Sequence, residues 1–201
     1  MICLGVDPGS ATLGYGIVEE GPDGLRSLGH GVVATSPSDA MPDRLLAIHR
    51  ELGAIVDLHR PALIGVERLF FSANVQTALA VGQARGVILL VAAERGIPVR
   101  EATPGEVKVA VTGYGKADKE QVGRMVATLL RLETRPTPDD AADALAIAIW
   151  TAATERGGGG ERPGRAATSA VLDRAASAPI AGESRFERAV REALAAERSR
   201  R

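Results

Sequence analysis

The first seven residues constrain the fold most. Ile2, Cys3, Leu4, Gly5 and Val6 form an apolar run of strand length that stops at Asp7, inside the turn signal Asp7-Pro8-Gly9-Ser10. A second apolar stretch follows from Tyr15 to Val18. The pair reads as a hairpin, with Gly9, Gly14 and Gly16 leaving the backbone room to turn or to approach another group. Asp7 is thus delivered to the point where a buried strand meets the surface. A carboxylate cannot be buried there unpaired without shifting its pKa or finding a partner. Two readings stand at this point. Asp7 accepts N–H bonds from its turn, or it belongs to a metal or phosphate site.

The same logic recurs downstream. Leu28 to Ala34 supplies a third strand, and Ser36-Pro37-Ser38-Asp39 opens a helical pattern carried by Leu45, Ile48, Leu52, Ile55 and Val56. His49 and His59 lie on or beside that helix without a metal-ligand partner at useful spacing, and read as surface residues. After Pro61, the run Ala62 to Val66 again ends in an acid, Glu67. A strand that follows a meander and a helix returns by a right-handed crossover, parallel to an earlier strand. If it lies beside the first, Asp7 and Glu67 are neighbours at about 5 Å. Two carboxylates that close repel unless a cation or a shared proton intervenes. A Glu67–Arg68 surface pair is the plainer alternative.

Phe70 and Phe71 follow at once, conspicuous in a chain that is only 3% aromatic. A long helix is expected from Val75 to Arg95, with Gly82 and Gly86 four apart, a spacing that suits helix packing or a dimer seam. Val99 to Ala102 reads as a fifth strand. Thr103 and Glu106 form a capping box for a helix that carries Lys108. With Lys116, Lys119 and Arg124, this is the most basic stretch of the globular part, either a solvated face or a set of phosphate contacts. Beyond Pro138, Asp140 and Asp143 share one face near the start of an Ala-rich helix, with Asp139 beside them as the expected cap.

Bulk properties narrow the class. The 201 residues suit one domain with an appendage, and 45% apolar content supplies a core. The net charge of −1 means that any nucleic-acid contact must be arranged locally. The lone Cys3 lies inside the first strand and fits a reducing, cytoplasmic setting. No secretory signal is expected, because Asp7 and Pro8 interrupt the N-terminal run. No apolar stretch is expected to span a membrane, because Arg85 and Glu94 bracket the longest candidate. From residue 155 the composition changes. Gly157 to Gly160 reads as a linker, and residues 155–201 as a Gly/Ala/Arg-rich flexible tail with a short terminal helix over Phe186 to Arg198. The domain proper is 1–154.

Four carboxylates remain: Asp7, Glu67, Asp140 and Asp143. No Cys/His cluster competes, so soft-metal sites are unfavoured. All-oxygen donors suit Mg²⁺, which keeps several waters and binds a few carboxylates plus substrate phosphate. Two such ions about 3.5–4 Å apart serve phosphodiester hydrolysis. The basic stretch supplies phosphate contacts, and Phe70 and Phe71 can stack on bases near the cut.

Asp7-Pro8-Gly9-Ser10 with Gly14-Tyr15-Gly16, Ile64-Gly65-Val66-Glu67, Gly82-Gln83-Ala84-Arg85-Gly86, and Asp140-Ala141-Ala142-Asp143-Ala144-Leu145-Ala146 together resemble the RuvC family of bacterial Holliday-junction resolvases, in order from Met1 to about Ala153. The resemblance implies a ribonuclease H-like α/β fold, a five-stranded mixed sheet flanked by helices. It implies a cytoplasmic homodimer that makes paired, symmetric nicks across four-way junction DNA in recombination and repair, beside a branch-migration motor of the RuvA and RuvB type. It makes Asp7, Glu67, Asp140 and Asp143 catalytic ligands for two Mg²⁺ or Mn²⁺ ions. It makes Phe70, Lys108 and Lys119 DNA contacts, and puts Gly82 and Gly86 in the dimer region. Some members carry His for the first acid of the last pair, and the neighbouring Asp139 leaves the register open by one residue. Two other readings compete. A junction binder without catalysis would lack a reason for four acids. An actin-like or sugar-kinase ATPase would need a second Asp-x-Gly loop, which the chain lacks.

Overall fold

The computed structural model describes residues 1–68 and 75–156, all within one compact unit, Met1–Glu161. Phe70, Phe71 and the tail from residue 157 lie outside the described residues. The strands are β1 (Ile2–Asp7), β2 (Thr12–Gly21), β3 (Gly24–Ala34), β4 (Leu63–Glu67) and β5 (Val99–Ala102). The helices are α1 (Met41–His59), α2 (Val75–Glu94), α3 (Pro104–Thr112), α4 (Lys119–Leu129) and α5 (Asp139–Arg156).

The sheet order is β3-β2-β1-β4-β5. β1–β2 and β2–β3 are antiparallel, while β4 runs parallel to both β1 and β5. β1 is therefore central and covered on both faces, which explains its unbroken apolar run: Cys3, Leu4 and Val6 are fully buried. Each such side chain stabilises the fold by roughly 2 kcal/mol. Two cores flank the sheet. On one face α1 and α2 pack Ile48, Leu52, Ile88 and Val91 against Leu4, Val6, Leu13 and Ile64. On the other, α3, α4 and α5 close over Val18 and Ala102 with Val107, Val126, Leu145 and Ile149.

Several local expectations change. β2 and β3 extend beyond their apolar segments, because the long hairpin continues its ladder through Glu19↔Arg26 and Glu20↔Leu25. α1 starts at Met41 rather than at Ser36. Its N-cap is Ala40, which offers no capping side chain, and Ser36 bonds Ser38 instead. The Thr103–Glu106 capping box is present. α5 continues to Arg156, two residues past the expected boundary, and Glu155 is tied to Arg100 of β5. His49 pairs with Glu94 across α1 and α2.

α2 corrects the membrane expectation. Its 20 residues are long and apolar enough to cross a bilayer by length and composition, with a mean hydropathy of 1.5 and only 22% of that window buried. Arg85 lies inside the window rather than at its border, and its charge is met by Glu101 of β5. One face of α2, through Ala84, Ile88, Val91 and Ala92, belongs to the core.

Candidate active site

β1 and β4 lie side by side with Val6 opposite Val66. The next residue on each strand is an acid. Asp7 and Glu67 therefore leave the sheet together at one edge, on strands about 4.8 Å apart. On its other side Asp7 faces Gly14 of β2. A Cβ at Gly14 would fall 2.0 Å from the Asp140 carbonyl oxygen, so only glycine lets the first turn of α5 settle beside Asp7. The contact is repeated along the helix. A Cβ at Gly5 would strike the Ala144 carbonyl, one at Gly16 the Leu145 backbone, and one at Gly65 the Thr151 hydroxyl. The three strands present a bare floor, and the alanines of α5 lie on it. Asp140 and Asp143, three apart on that helix, are carried to the strand ends by this fit.

Asp7, Glu67, Asp140 and Asp143 line one cavity of about 390 Å³, together with Lys108 of α3 and Lys119 of α4. Burial, then the carboxylates of Glu67, Asp143 and Asp140, push the Asp7 carboxyl up to about 7, with Lys119 pulling the other way. Burial and Asp143 raise Glu67, again against Lys119. Lys119 Nζ donates to Asp143 Oδ2 at 3.1 Å, and that bond raises the lysine further. The cluster thus has one internal cation in direct contact and an excess of negative charge.

Asp139 takes another part. Arg135 Nη2 donates to its Oδ1 at 2.7 Å, and Asp139 does not line the cavity. It stands in the first turn of α5, not at a cap. Asp140 is the member of that pair that faces the acids. Lys116 is exposed between α3 and α4 and does not line the cavity. Gly82 and Gly86 do not line it, and Cβ atoms there would meet nothing within 4 Å. Two supports were missed in the sequence. Asp118 caps α4, accepting from Gln121 N–H at 2.7 Å, and so sets the helix that begins with Lys119. The Asp-x-x-Gln pattern was a readable signal for it. Of the glycine floor, Gly14 and Gly16 carried a signal as room for close approach, whereas Gly5 and Gly65 carried none, because the floor joins residues far apart in the chain.

The model of the family described as "Crossover junction endodeoxyribonuclease RuvC" matches residues 3–151. The chain belongs to the RuvC family. RuvC of Heliobacterium modesticaldum is 52% identical over 152 residues, which cover 76% of this chain and 94% of that relative. RuvC of Thermomicrobium roseum is 53% identical over 149 residues, 74% of this chain and 91% of the relative. A solved structure of Thermus thermophilus RuvC with a Holliday junction substrate superposes with a TM-score of 0.73 at 36% identity, covering 79% of this chain and 97% of that one. The ribonuclease H-like sheet is therefore the RuvC fold.

RuvC enzymes are metal-dependent nucleases, and the donor set here fits a hard divalent ion. All four acids offer oxygen, and their mutual repulsion favours a cation between them. Among the described residues no three of them are gathered tightly enough to form a ready cage. Mg²⁺ does not need one, since it binds through one or two carboxylates and completes its shell with water and phosphate oxygen.

Proposed function

We propose that this protein is a structure-specific endonuclease that resolves Holliday junctions by paired, symmetric, metal-dependent nicks in DNA recombination and repair. The observation that carries the reading is the convergence of four acids from β1, β4 and α5 with two lysines in one cavity. Family membership supplies the reaction class.

Asp7, Glu67, Asp140 and Asp143 hold the divalent ions, two Mg²⁺ per site with Mn²⁺ as a substitute. When bound, such ions polarise the scissile phosphate and ease formation of the attacking hydroxide. Asp7 must give up its proton before it can serve as a ligand. Lys108 and Lys119 bind backbone phosphate at the cavity mouth, and Lys119 exchanges its Asp143 contact for the phosphate. Lys116 adds a peripheral phosphate contact, and Phe70 and Phe71 meet bases near the junction centre.

The substrate is two-fold symmetric, so resolution needs two identical sites, which an isologous homodimer supplies. We place the seam on the face of α2 that bears Gly82 and Gly86. We assign residues 1–154, with α5 continuing to Arg156, to the nuclease domain, and 155–201 to a tail. The setting is the bacterial cytoplasm, beside a branch-migration motor of the RuvA and RuvB type.

The test is cleavage of a mobile four-way junction against a linear duplex of the same sequence, with Mg²⁺, with Mn²⁺ and with chelator, for the wild type and Asp7→Asn. Paired nicks in the junction alone, lost in chelator and in the variant, are expected. Junction binding without cutting under either metal would move the protein to the class of structural binders.

A further inference from the structure

The first turn of α1 places a cation beside the Asp7 turn that the carboxylate cavity does not use. Arg44 Nε donates to Thr35 Oγ1 at 3.0 Å, and its Nη2 donates to Ser10 Oγ at 3.1 Å. Thr35 Oγ1 donates in turn to the Ser10 carbonyl oxygen at 2.5 Å, and the Thr35 N–H to that of Ala11 at 2.9 Å. Three segments meet here: the turn after β1, the residue after β3 and the start of α1. All lie at the strand edge where Asp7 emerges. Two antiparallel pairings make β3 run in the direction of β1, and α1 begins beyond its end.

Among the described residues nothing answers the charge of Arg44. Arg85 and Arg95, on the same face of the sheet, pair with Glu101 and Asp57. Arg44 is half-buried and forms no ion pair among the described residues. Its neighbour Asp43 is exposed and turned about 100° around the helix axis. A guanidinium drawn partly out of water against hydroxyls alone loses hydration without an ionic return. A neutral donor would hold the turn at lower cost. Nη1 has no partner among the described residues, and Ser10 Oγ, once it accepts from Arg44, keeps its own proton to donate. A guanidinium edge and a hydroxyl proton stand side by side, the donors that a phosphate oxygen takes up.

Position gives the pair its use. Lys108 and Lys119 reach the cavity from α3 and α4, while α1 covers the opposite face of the sheet. The acids lie between them at the edge. Ser10 is three residues from Asp7, at most about 11 Å along the chain, which corresponds to at most about three phosphates of rise along a duplex axis. We propose that Arg44 and Ser10 form a second phosphate-binding subsite. It holds the DNA backbone on the α1 side of the cut, across the acids from the two lysines. The proposal rests on Asp7 marking the place of cleavage.

Junction binding in chelator, followed by fluorescence anisotropy between about 50 and 200 mM salt, tests it. Arg44→Gln keeps a donor for the hydroxyls and drops the charge, whereas Arg44→Lys keeps the charge and drops the fork. Arg44→Gln is expected to weaken binding about tenfold and to make the slope of log K against log salt shallower by about one. Arg44→Lys is expected to retain the slope, and Ser10→Ala to weaken binding less than Arg44→Gln does. Wild-type affinity and slope in Arg44→Gln would overturn the subsite and leave Arg44 a neutral strut. Circular dichroism confirms that each variant is folded, and the Gln/Lys contrast decides even where Arg44→Ala does not fold. Asp7→Asn, assayed for cutting in Mg²⁺, separates the two readings. If it still cuts, the assignment of the cleavage site fails, whatever the salt slope of the Arg44 variants.

Discussion

At the scale of single residues, Asp7 holds its proton to about pH 7, because burial and three nearby carboxylates oppose its charge. The unfolded chain loses that proton near pH 4. Between those values the folded state binds a proton that the unfolded state has released. Asp7 therefore favours folding most below pH 4, and this contribution falls as pH rises to about 7. Above that the full penalty applies, at most roughly 4 kcal/mol. Asp7→Asn is expected to raise the thermal midpoint of the metal-free protein at pH 8 and to leave it little changed at pH 4, as read by calorimetry. Divalent ions compete with the same proton, so their affinity in isothermal titration should climb as pH rises through 7. Asp139 and Asp140 divide just as clearly. Asp140→Asn should cut the rate on a junction by about a hundredfold or more, by analogy with loss of a charge-stabilising group. Asp139→Asn breaks a half-exposed pair with Arg135 and should change the rate less than about threefold.

At the scale of elements, the seat of α5 on the sheet decides whether the acids meet. Ala at Gly14 would put its Cβ 2.0 Å from one backbone atom of Asp140 and 2.6 Å from another, and no flexible side chain can give way there. Gly14→Ala is expected to cost about 1–3 kcal/mol in denaturant unfolding, and to lower cleavage further than that loss explains, because it lifts Asp140 away from Asp7. Part of this arrangement was legible in the sequence. Apolar runs ending at Asp7 and Glu67 announce strands that deliver acids to an edge, and the three-residue spacing of Asp140 and Asp143 announces a shared helical face. The glycine floor was legible only in part. Gly5, Gly14, Gly16 and Gly65 are spread over sixty residues; Gly14 and Gly16 read as room to turn or to approach another group, but Gly5 and Gly65 read only as members of apolar runs. Their common role exists only once β1, β2 and β4 are side by side. Asp139 misled for the opposite reason. Its place before an Ala-rich helix reads as a cap, but it lies inside the first turn, where Arg135, four residues earlier, holds it.

At the scale of the whole molecule, α2 is the element whose sequence exceeds what one protomer uses. It is apolar nearly all round, yet the core takes only the face of Ala84, Ile88, Val91 and Ala92. Val75, Leu79 and Leu90 remain 77%, 63% and 52% exposed, and Gly82 and Gly86 look onto open space. A helix apolar on all sides is ordinarily buried on all sides. A second copy packed on this face would cover it, with the two glycines allowing close approach of the backbones. Leu79→Asp tests this without touching the core. The residue is exposed in the protomer, so the fold should hold to within about 0.5 kcal/mol. Sedimentation is expected to show a dimer for the wild type and a monomer for the variant. The chemical consequence follows from symmetry. A monomer carries one site and one cut, so the variant should leave junctions nicked on a single strand, while the wild type releases two linear duplexes. A Leu79→Asp protein that stays dimeric and cuts both strands would move the seam to another face.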